Sequence, residues 1–370
     1  MSTVNQVISL ESLYVDGVRN LSTQRLVLGQ DTNLIAGPNG SGKSSVLESV
    51  TLLSTGRSFR SPSVRPVIQH GRDDCVVQAR IRRGGTTLSI GIRRTRGGEV
   101  TLKVDGNEVG SLAEFAALLP TIVLDPSSID LVVGPPEARR RLIDGALFHV
   151  EQTFLEVWRR YQRVLRQRNA ALRRGIMGAE DPWVGELART GYLLSEHRVQ
   201  LVCRLTPVFR EILSVLSDEL ATTELVLRPG WDQGMSLEDG LVRSADSDRA
   251  QGFTHVGPHR ADLRLQWMGR PAAEVMSRGQ LKLTMIALRL AQGRIMAEEG
   301  GGSPVYLVDD IAAELDVDHA DKVCGLLQNN ESQVLLTAVN SPEARRLYAG
   351  GAMNLFHVEQ GCVTPLDGPS

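Results

Sequence analysis

The sequence predicts an α/β protein in which the two ends of the chain form one discontinuous lobe, with an N-terminal antiparallel β region and an inserted, mainly helical lobe between them. Three observations carry this. A glycine-rich loop, Gly37 to Ser44, follows a strand-like run and opens a helical one. Far along the chain a short apolar run, Val305 to Val308, ends in two aspartates. Between them the hydrophobic period changes from the two residues of a strand to the 3.6 of a helix.

Taken in order, Val7 to Leu10, Leu26 to Leu28 and Asn33 to Ala36 are short apolar runs that read as strands. From Val76 to Gly110 three alternating runs are separated by Gly84-Gly85, Gly97-Gly98 and Asp105-Gly106-Asn107, the turn chemistry of antiparallel hairpins. The pattern becomes helical from Leu131. Between Glu151 and Arg174, Phe154, Trp158, Tyr161, Leu165 and Leu172 fall within about 60° of one another on a 100° wheel. Arg159, Arg163, Arg166, Arg173 and Arg174 gather on the opposite face, a candidate surface for nucleic-acid phosphates. A second helical stretch runs from about Glu186 to Leu220, after Asp181-Pro182. Arg228 to Gly252 holds little apolar material and reads as a mobile loop. After His255 the chain is α/β again, with a helix opening near Ser277, a strand at Val305, a helix over 316–329 and a strand at Val334 to Leu336. This places the discontinuous lobe at 1–125 plus 253–370 and the inserted lobe at 126–252.

The chain has 370 residues, 42% apolar and 23% charged, which excludes collagen-like and wholly disordered classes. No apolar run approaches the ~20 residues of a membrane span, and the first residues lack the pattern of a secretory signal, so a cytoplasmic location is expected. The net charge of −2 points to no partner class. Four of the 41 cations are Lys, so the chain is strongly weighted to Arg, through genome composition or through phosphate recognition. Cys75, Cys203, Cys324 and Cys362 are far apart and read as reduced structural thiols.

The loop Gly37-Pro38-Asn39-Gly40-Ser41-Gly42-Lys43-Ser44, with Ser45 after it, fits GxxxxGK[ST]. Its glycines let successive amides point inward, and the helix that follows adds its positive end, so the loop is suited to a nucleotide's phosphates. Lys43 is the expected contact to the β- and γ-phosphates, and the Ser44 hydroxyl the expected Mg²⁺ ligand. Asp309, at the end of a strand expected to neighbour the loop's own, is the metal-side carboxylate, and Asp310 the candidate proton acceptor for an attacking water. Ser277-Arg278-Gly279-Gln280 opens a helix with Ser277 near its N-cap, either an ordinary capped start or a second phosphate contact offered to another copy of the chain. His259, in Gly257-Pro258-His259-Arg260-Ala261-Asp262-Leu263, is read as structural. Arg57, Arg60 and Arg65 follow the loop's helix and could meet nucleotide, DNA or neither.

The order of these motifs, with Ala313-Glu314-Leu315-Asp316 after the paired aspartates, resembles the ABC-type ATPase heads of the SMC group, and within it the RecF branch. The resemblance also rests on Leu53 to Arg60, Asp125-Pro126-Ser127-Ser128, Gly134 to Asp144, Gly257 to Leu263 and Ser277 to Lys282, and it extends from about residue 7 to 340. It implies an ATP- and Mg²⁺-dependent head-to-head dimer in which Ser277, Arg278, Gly279 and Gln280 engage the γ-phosphate held by the partner copy, with Asp316 at the D-loop position near the interface. It further implies slow, DNA-dependent hydrolysis of ATP to ADP and phosphate, and binding of single-stranded or gapped DNA or duplex junctions. RecR, RecO and RecA would be pathway partners, with roles in RecA loading and the SOS response. Two positions depart from the wider ABC pattern: Ala338 stands at the switch-histidine position, and Arg278 replaces the usual glycine. No Q-loop glutamine is found, although 125–130 is where one would look. The nucleotide-binding subunit of a transporter, another SMC-like head and a small-molecule kinase remain the alternatives.

Overall fold

Thr32–Ala36, the run that leads into the glycine-rich loop, is a buried strand inside a six-stranded sheet. The computed structural model describes residues 7–125, 129–176, 181–300, 302–329, 331–339 and 352–366. The sheet order is Cys362–Leu366, Met353–Glu359, Thr32–Ala36, Val334–Ala338, Val305–Val308, Thr121–Leu124. All neighbours are parallel except the first pair. Val305–Val308 and Val334–Ala338 are buried at every position, the continuous apolar pattern of strands covered on both faces. Here the expected adjacency needs correction: the strand ending at Asp309 does not neighbour the loop's strand, because Val334–Ala338 lies between them. The register sets Ala36 beside Ala338 and Val308 beside Leu336, so all three strands release their C-terminal ends on one edge. Open α/β sheets bind ligands at that edge.

An antiparallel sheet of six strands belongs to the same unit, in the order Gln24–Val27, Ile8–Asp16, Asp74–Arg83, Thr86–Thr95, Val100–Val104, Asn107–Glu108. Its inward residues Val77, Ile81, Ile90, Ile92 and Leu102 share one core with Leu307 and Leu335 of the parallel sheet and with Val46, Leu47, Val50 and Leu53 of the helix Lys43–Thr55. A helix enclosed on every side cannot show an amphipathic pattern. Four of its small polar residues, Ser49, Thr51, Ser54 and Thr55, bond back to carbonyls of the helix itself, as Ser49 does to the Ser45 carbonyl at 2.8 Å.

The structure divides into one unit of residues 1–128 and 286–370 and another of 129–285. The boundary expected at 252 therefore falls at 285, because Asp262–Trp267 pairs antiparallel with Glu224–Arg228 and draws 253–285 into the inserted unit. That unit contains the helices Pro136–Val150, Phe154–Arg174 and Val184–Leu216, with a three-stranded sheet completed by Arg270–Pro271. The mobile loop expected over Arg228 to Gly252 is corrected as well, since the helices Leu237–Arg243 and Ala245–Gln251 occupy it. The first is anchored by only two buried leucines, Leu237 and Leu241, and the buried residue of the second is a charge, Asp248, bonded to Arg168 at 2.6 Å, so composition misled. No described helix is long and apolar enough to cross a membrane.

Candidate functional site

The glycine-rich loop leaves the sheet edge with the Gly37 amide still bonded to the Ala338 carbonyl at 3.2 Å. A Cβ on Gly37 would stand 2.3 Å from the Val358 carbonyl oxygen, so only glycine fits there. Gly42, at φ 121°, is the N-cap of Lys43–Thr55, and no side chain caps the helix. An uncapped first turn presents free amides and the positive end of the helix dipole to an anion. Lys43 is buried and its ammonium donates to the carbonyls of Gly37 at 2.8 Å and Pro38 at 3.0 Å. Burial lowers its pKa, against the opposing pull of Asp310 and Asp309. The Ser41 hydroxyl oxygen is buried with no hydrogen-bond partner among the described residues.

Ser44 donates to Oδ1 of Asp309 at 2.9 Å, joining two residues 265 positions apart. The intervening strand adds a residue that the sequence reading missed. Thr337, buried, donates to the same Asp309 oxygen at 2.6 Å and accepts from the Asp310 amide at 3.0 Å. Asp310 holds a left-handed backbone at φ 46°. Burial raises its carboxyl pKa, Lys43 opposes the rise, and Asp309 and Glu314 add to it. A hard-oxygen pair such as Ser44 and Asp309 suits Mg²⁺, which takes few protein ligands and completes its shell with water and phosphate.

Of these residues, Gly42, Lys43, Ser44 and Asp310 line a cleft of about 760 Å³. Its lining includes Lys43, Arg19, Arg60, Arg65 and Arg96 against the single carboxylate of Asp310, an excess of positive charge suited to a polyphosphate. Arg60 and Arg65 were foreseen as candidates and Arg57 is exposed outside the lining; Arg19 and Arg96 were missed. Only Thr337 left a signal, as the one polar residue in the otherwise apolar run from Val334 to Ala338. Of the stretch where a Q-loop would lie, Pro126, Ser127 and Ser128 are outside the described residues, as is Asn340 after the strand at Ala338.

In the inserted unit, Ser277 and Gln280 form a reciprocal capping box: the Ser277 amide donates to the Gln280 side chain at 2.8 Å, and the Gln280 amide to the Ser277 hydroxyl at 3.3 Å. Ser277, Arg278 and Gly279 are exposed, and a Cβ on Gly279 would meet nothing within 4 Å. Asp316 is the N-cap of Val317–Gln328, accepting from the His319 amide at 3.0 Å. Arg159, Arg163, Arg166, Arg173 and Arg174 are all exposed along Phe154–Arg174. The adjacent Arg160 is paired with Glu186. His259 is structural: Nε2 lies 3.0 Å from the Thr254 carbonyl and Nδ1 2.7 Å from the Tyr161 hydroxyl, which fixes the neutral Nε2–H tautomer.

Residues 9–364 match the family model of the RecF/RecN/SMC N-terminal domain. A DNA replication and repair protein RecF of Pseudomonas putida is 41% identical over 96% of this chain and 98% of its own length. The RecF of Stutzerimonas stutzeri is 41% identical over 98% and 99%. A solved structure of the recombination mediator protein RecF with ATP, from the RecFOR pathway, superposes with a TM-score of 0.86 at 25% identity, covering 98% of each chain. An Smc head bound to the C-terminal winged-helix domain of ScpA shares the fold, with a TM-score of 0.57 at 16% identity over 96% of each. The fold is the ABC-type ATPase head, and the chain belongs to the RecF family of DNA replication and repair proteins.

Proposed function

We propose that the chain is an ATP-dependent DNA clamp that binds ATP with Mg²⁺ in the cationic cleft, dimerises head to head and hydrolyses the nucleotide slowly. The observation that carries the nucleotide reading is the meeting of the Ser44 hydroxyl and the Asp309 carboxylate at 2.9 Å beside Lys43. In this reading the loop from Gly37 through Pro38, Asn39, Gly40, Ser41 and Gly42 to Ser45 wraps the phosphates. Lys43 exchanges its two carbonyl partners for phosphate oxygens, and Ser44 and Asp309 hold Mg²⁺. Asp310 takes the proton of the attacking water, a role its raised pKa suits. Arg60 and Arg65 supply further charge to the phosphates from the cleft wall.

The exposed Ser277, Arg278 and Gly279, with Gln280 fixing the helix start, form the contact to the γ-phosphate of a second copy, with Asp316 at the same interface. Open space around Gly279 supports the reading, since no described residue of the chain requires a glycine there. The exposed arginine face of Phe154–Arg174 is the contact to duplex or single-stranded DNA phosphates, and RecR, RecO and RecA are the pathway partners, with RecA loading at gaps as the outcome.

The test is the mass in solution by light scattering, with and without ATP and Mg²⁺. A dimer is expected only with both present, and it should vanish in Ser277→Arg, which leaves the cleft intact. Lys43→Ala should lower ATP affinity about 100-fold by removing a preorganised charge from the phosphates. A chain that stays monomeric with ATP bound and DNA present sinks the clamp.

A further inference from the structure

Glu48 lies on the helix that starts at Lys43, and its side chain is completely buried. A buried carboxylate persists only where it is paired and hydrogen-bonded, and the partners of Glu48 come from two other segments. Arg19 makes two parallel bonds to it, Nε to Oε2 and Nη2 to Oε1, each 2.7 Å. The Ser58 hydroxyl donates to Oε1. Each partner then holds one end of the same segment. Ser58 Oγ accepts from the amides of Arg60 at 3.0 Å and Ser61 at 2.9 Å. Arg19 reaches the Pro66 carbonyl through Nη1 at 2.7 Å, and its amide, on a left-handed backbone, reaches the Val67 carbonyl at 2.7 Å. The bonds close a ring from Glu48 through Ser58, along 58–66, and back through Arg19.

The segment inside this ring carries Arg60 and Arg65, which line the cleft together with Lys43 and Ser44, while Glu48 itself is not part of the lining. We propose that Glu48 is a positioning residue for nucleotide binding: through Ser58 and Arg19 it holds segment 58–66 so that Arg60 and Arg65 face the phosphates. The proposal rests on the nucleotide reading of the cleft. It explains why a carboxylate sits buried on the very helix whose first residues would hold the phosphates. A segment ordered before the ligand arrives loses less freedom on binding, and one buried group orders the backbone that carries both Arg60 and Arg65.

Replacing Glu48 would leave the half-buried guanidinium of Arg19 without its partner and could unfold the chain, so the test acts at Ser58. ATP with Mg²⁺ is titrated calorimetrically into the native chain, Ser58→Ala, Ser58→Thr, the pair Arg60→Gln with Arg65→Gln, and that pair combined with Ser58→Ala. Ser58→Ala is expected to weaken ATP about tenfold, a common size for coupling within one hydrogen-bond network. Without nucleotide it should still unfold cooperatively, with a melting temperature only a few degrees below native, the cost of one hydrogen bond to a buried charge, and Ser58→Thr should restore the affinity. In the background lacking both arginines, Ser58→Ala should change nothing further. Native affinity in Ser58→Ala, or an equal loss in both backgrounds, overturns the proposal while leaving the nucleotide reading in place. A folded native chain that binds no ATP removes both.

Discussion

The inserted unit and the loop site of the ATPase unit both bury charge, and they treat it in opposite ways. In the inserted unit the charges are saturated from within. Arg168, 1% exposed, is bonded to Asp181 at 2.7 Å, to Asp248 at 2.6 Å and to Thr254 at 2.7 Å. Arg198 grips Asp144 with two bonds of 2.8 and 2.9 Å and adds the Pro258 carbonyl. In the ATPase unit, Lys43 is left with two carbonyls, the Ser41 hydroxyl has no partner among the described residues, and Asp309 and Asp310 stand side by side with the second held toward its neutral form. Burying a charge without full compensation is costly, so it persists where a ligand completes the set. The difference teaches how to separate scaffold from site: a saturated network holds a fold, and an incomplete one awaits a partner.

The strongest way to break the comparison is to unsaturate the scaffold. Arg168→Leu leaves Asp181 and Asp248 buried without their cation, and removing one member of a buried ion pair costs about 3–5 kcal/mol. Denaturant unfolding should show that loss. A change below about 1 kcal/mol would mean that the network is not what holds the inserted unit. A milder attack uses acid. Burial, the dominant cause, pushes the His259 imidazole down to about 4 from its ordinary 6.5. The folded state then stays neutral while the unfolded state takes up a proton, so stability is complete above pH 6.5 and drains as pH falls from 6.5 to 4. The loss is about 3 kcal/mol at most. His259→Gln should flatten that slope, and an unchanged slope would assign it to another group.

The same contrast explains what could be read in advance. The glycine loop, the paired aspartates and the Ser277 to Gln280 helix start were legible because each is a local pattern with a local physical reason. The strand order was not, since a parallel sheet is assembled from segments hundreds of residues apart. For that reason Thr337 was missed: its role exists only because Val334–Ala338 lies between Thr32–Ala36 and Val305–Val308. Arg19 was missed because its guanidinium is aimed by Glu48 and Pro66, neither adjacent in sequence. The segment 228–252 looked unstructured because its first helix buries only two leucines and hydrophobic patterning cannot register the second, anchored by Asp248.

Thr337 lies within the site yet behaves like the scaffold, with its hydroxyl both donating and accepting, so it sharpens the comparison. Thr337→Val keeps the shape and deletes both bonds, freeing the Asp309 carboxylate to turn and releasing the Asp310 amide. Hydrolysis is expected to fall about tenfold, since misplacement of a reacting group by a fraction of an ångström commonly costs this much or more. ATP affinity should change little, and Thr337→Ser should recover the rate. Equal losses in KM and kcat would make Thr337 a packing residue instead.

The smallest effect is expected where one helix carries both kinds of arginine. On Phe154–Arg174, Arg168 faces inward and is saturated, while Arg163 and Arg166 are exposed and have no ion pair among the described residues. If incompleteness marks a site at the surface as it does in the cleft, these two cations serve phosphates. Reversing both, Arg163→Glu with Arg166→Glu, should leave stability within about 0.5 kcal/mol of native, as exposed substitutions do. It should weaken DNA binding several-fold in the presence of ATP and reduce the slope of log affinity against log salt by about two, one phosphate contact for each cation lost. A fall in affinity with an unchanged slope would point to distortion of the helix. Unchanged affinity and slope would make the arginine face a solvated surface, and would confine the rule to charges that are buried.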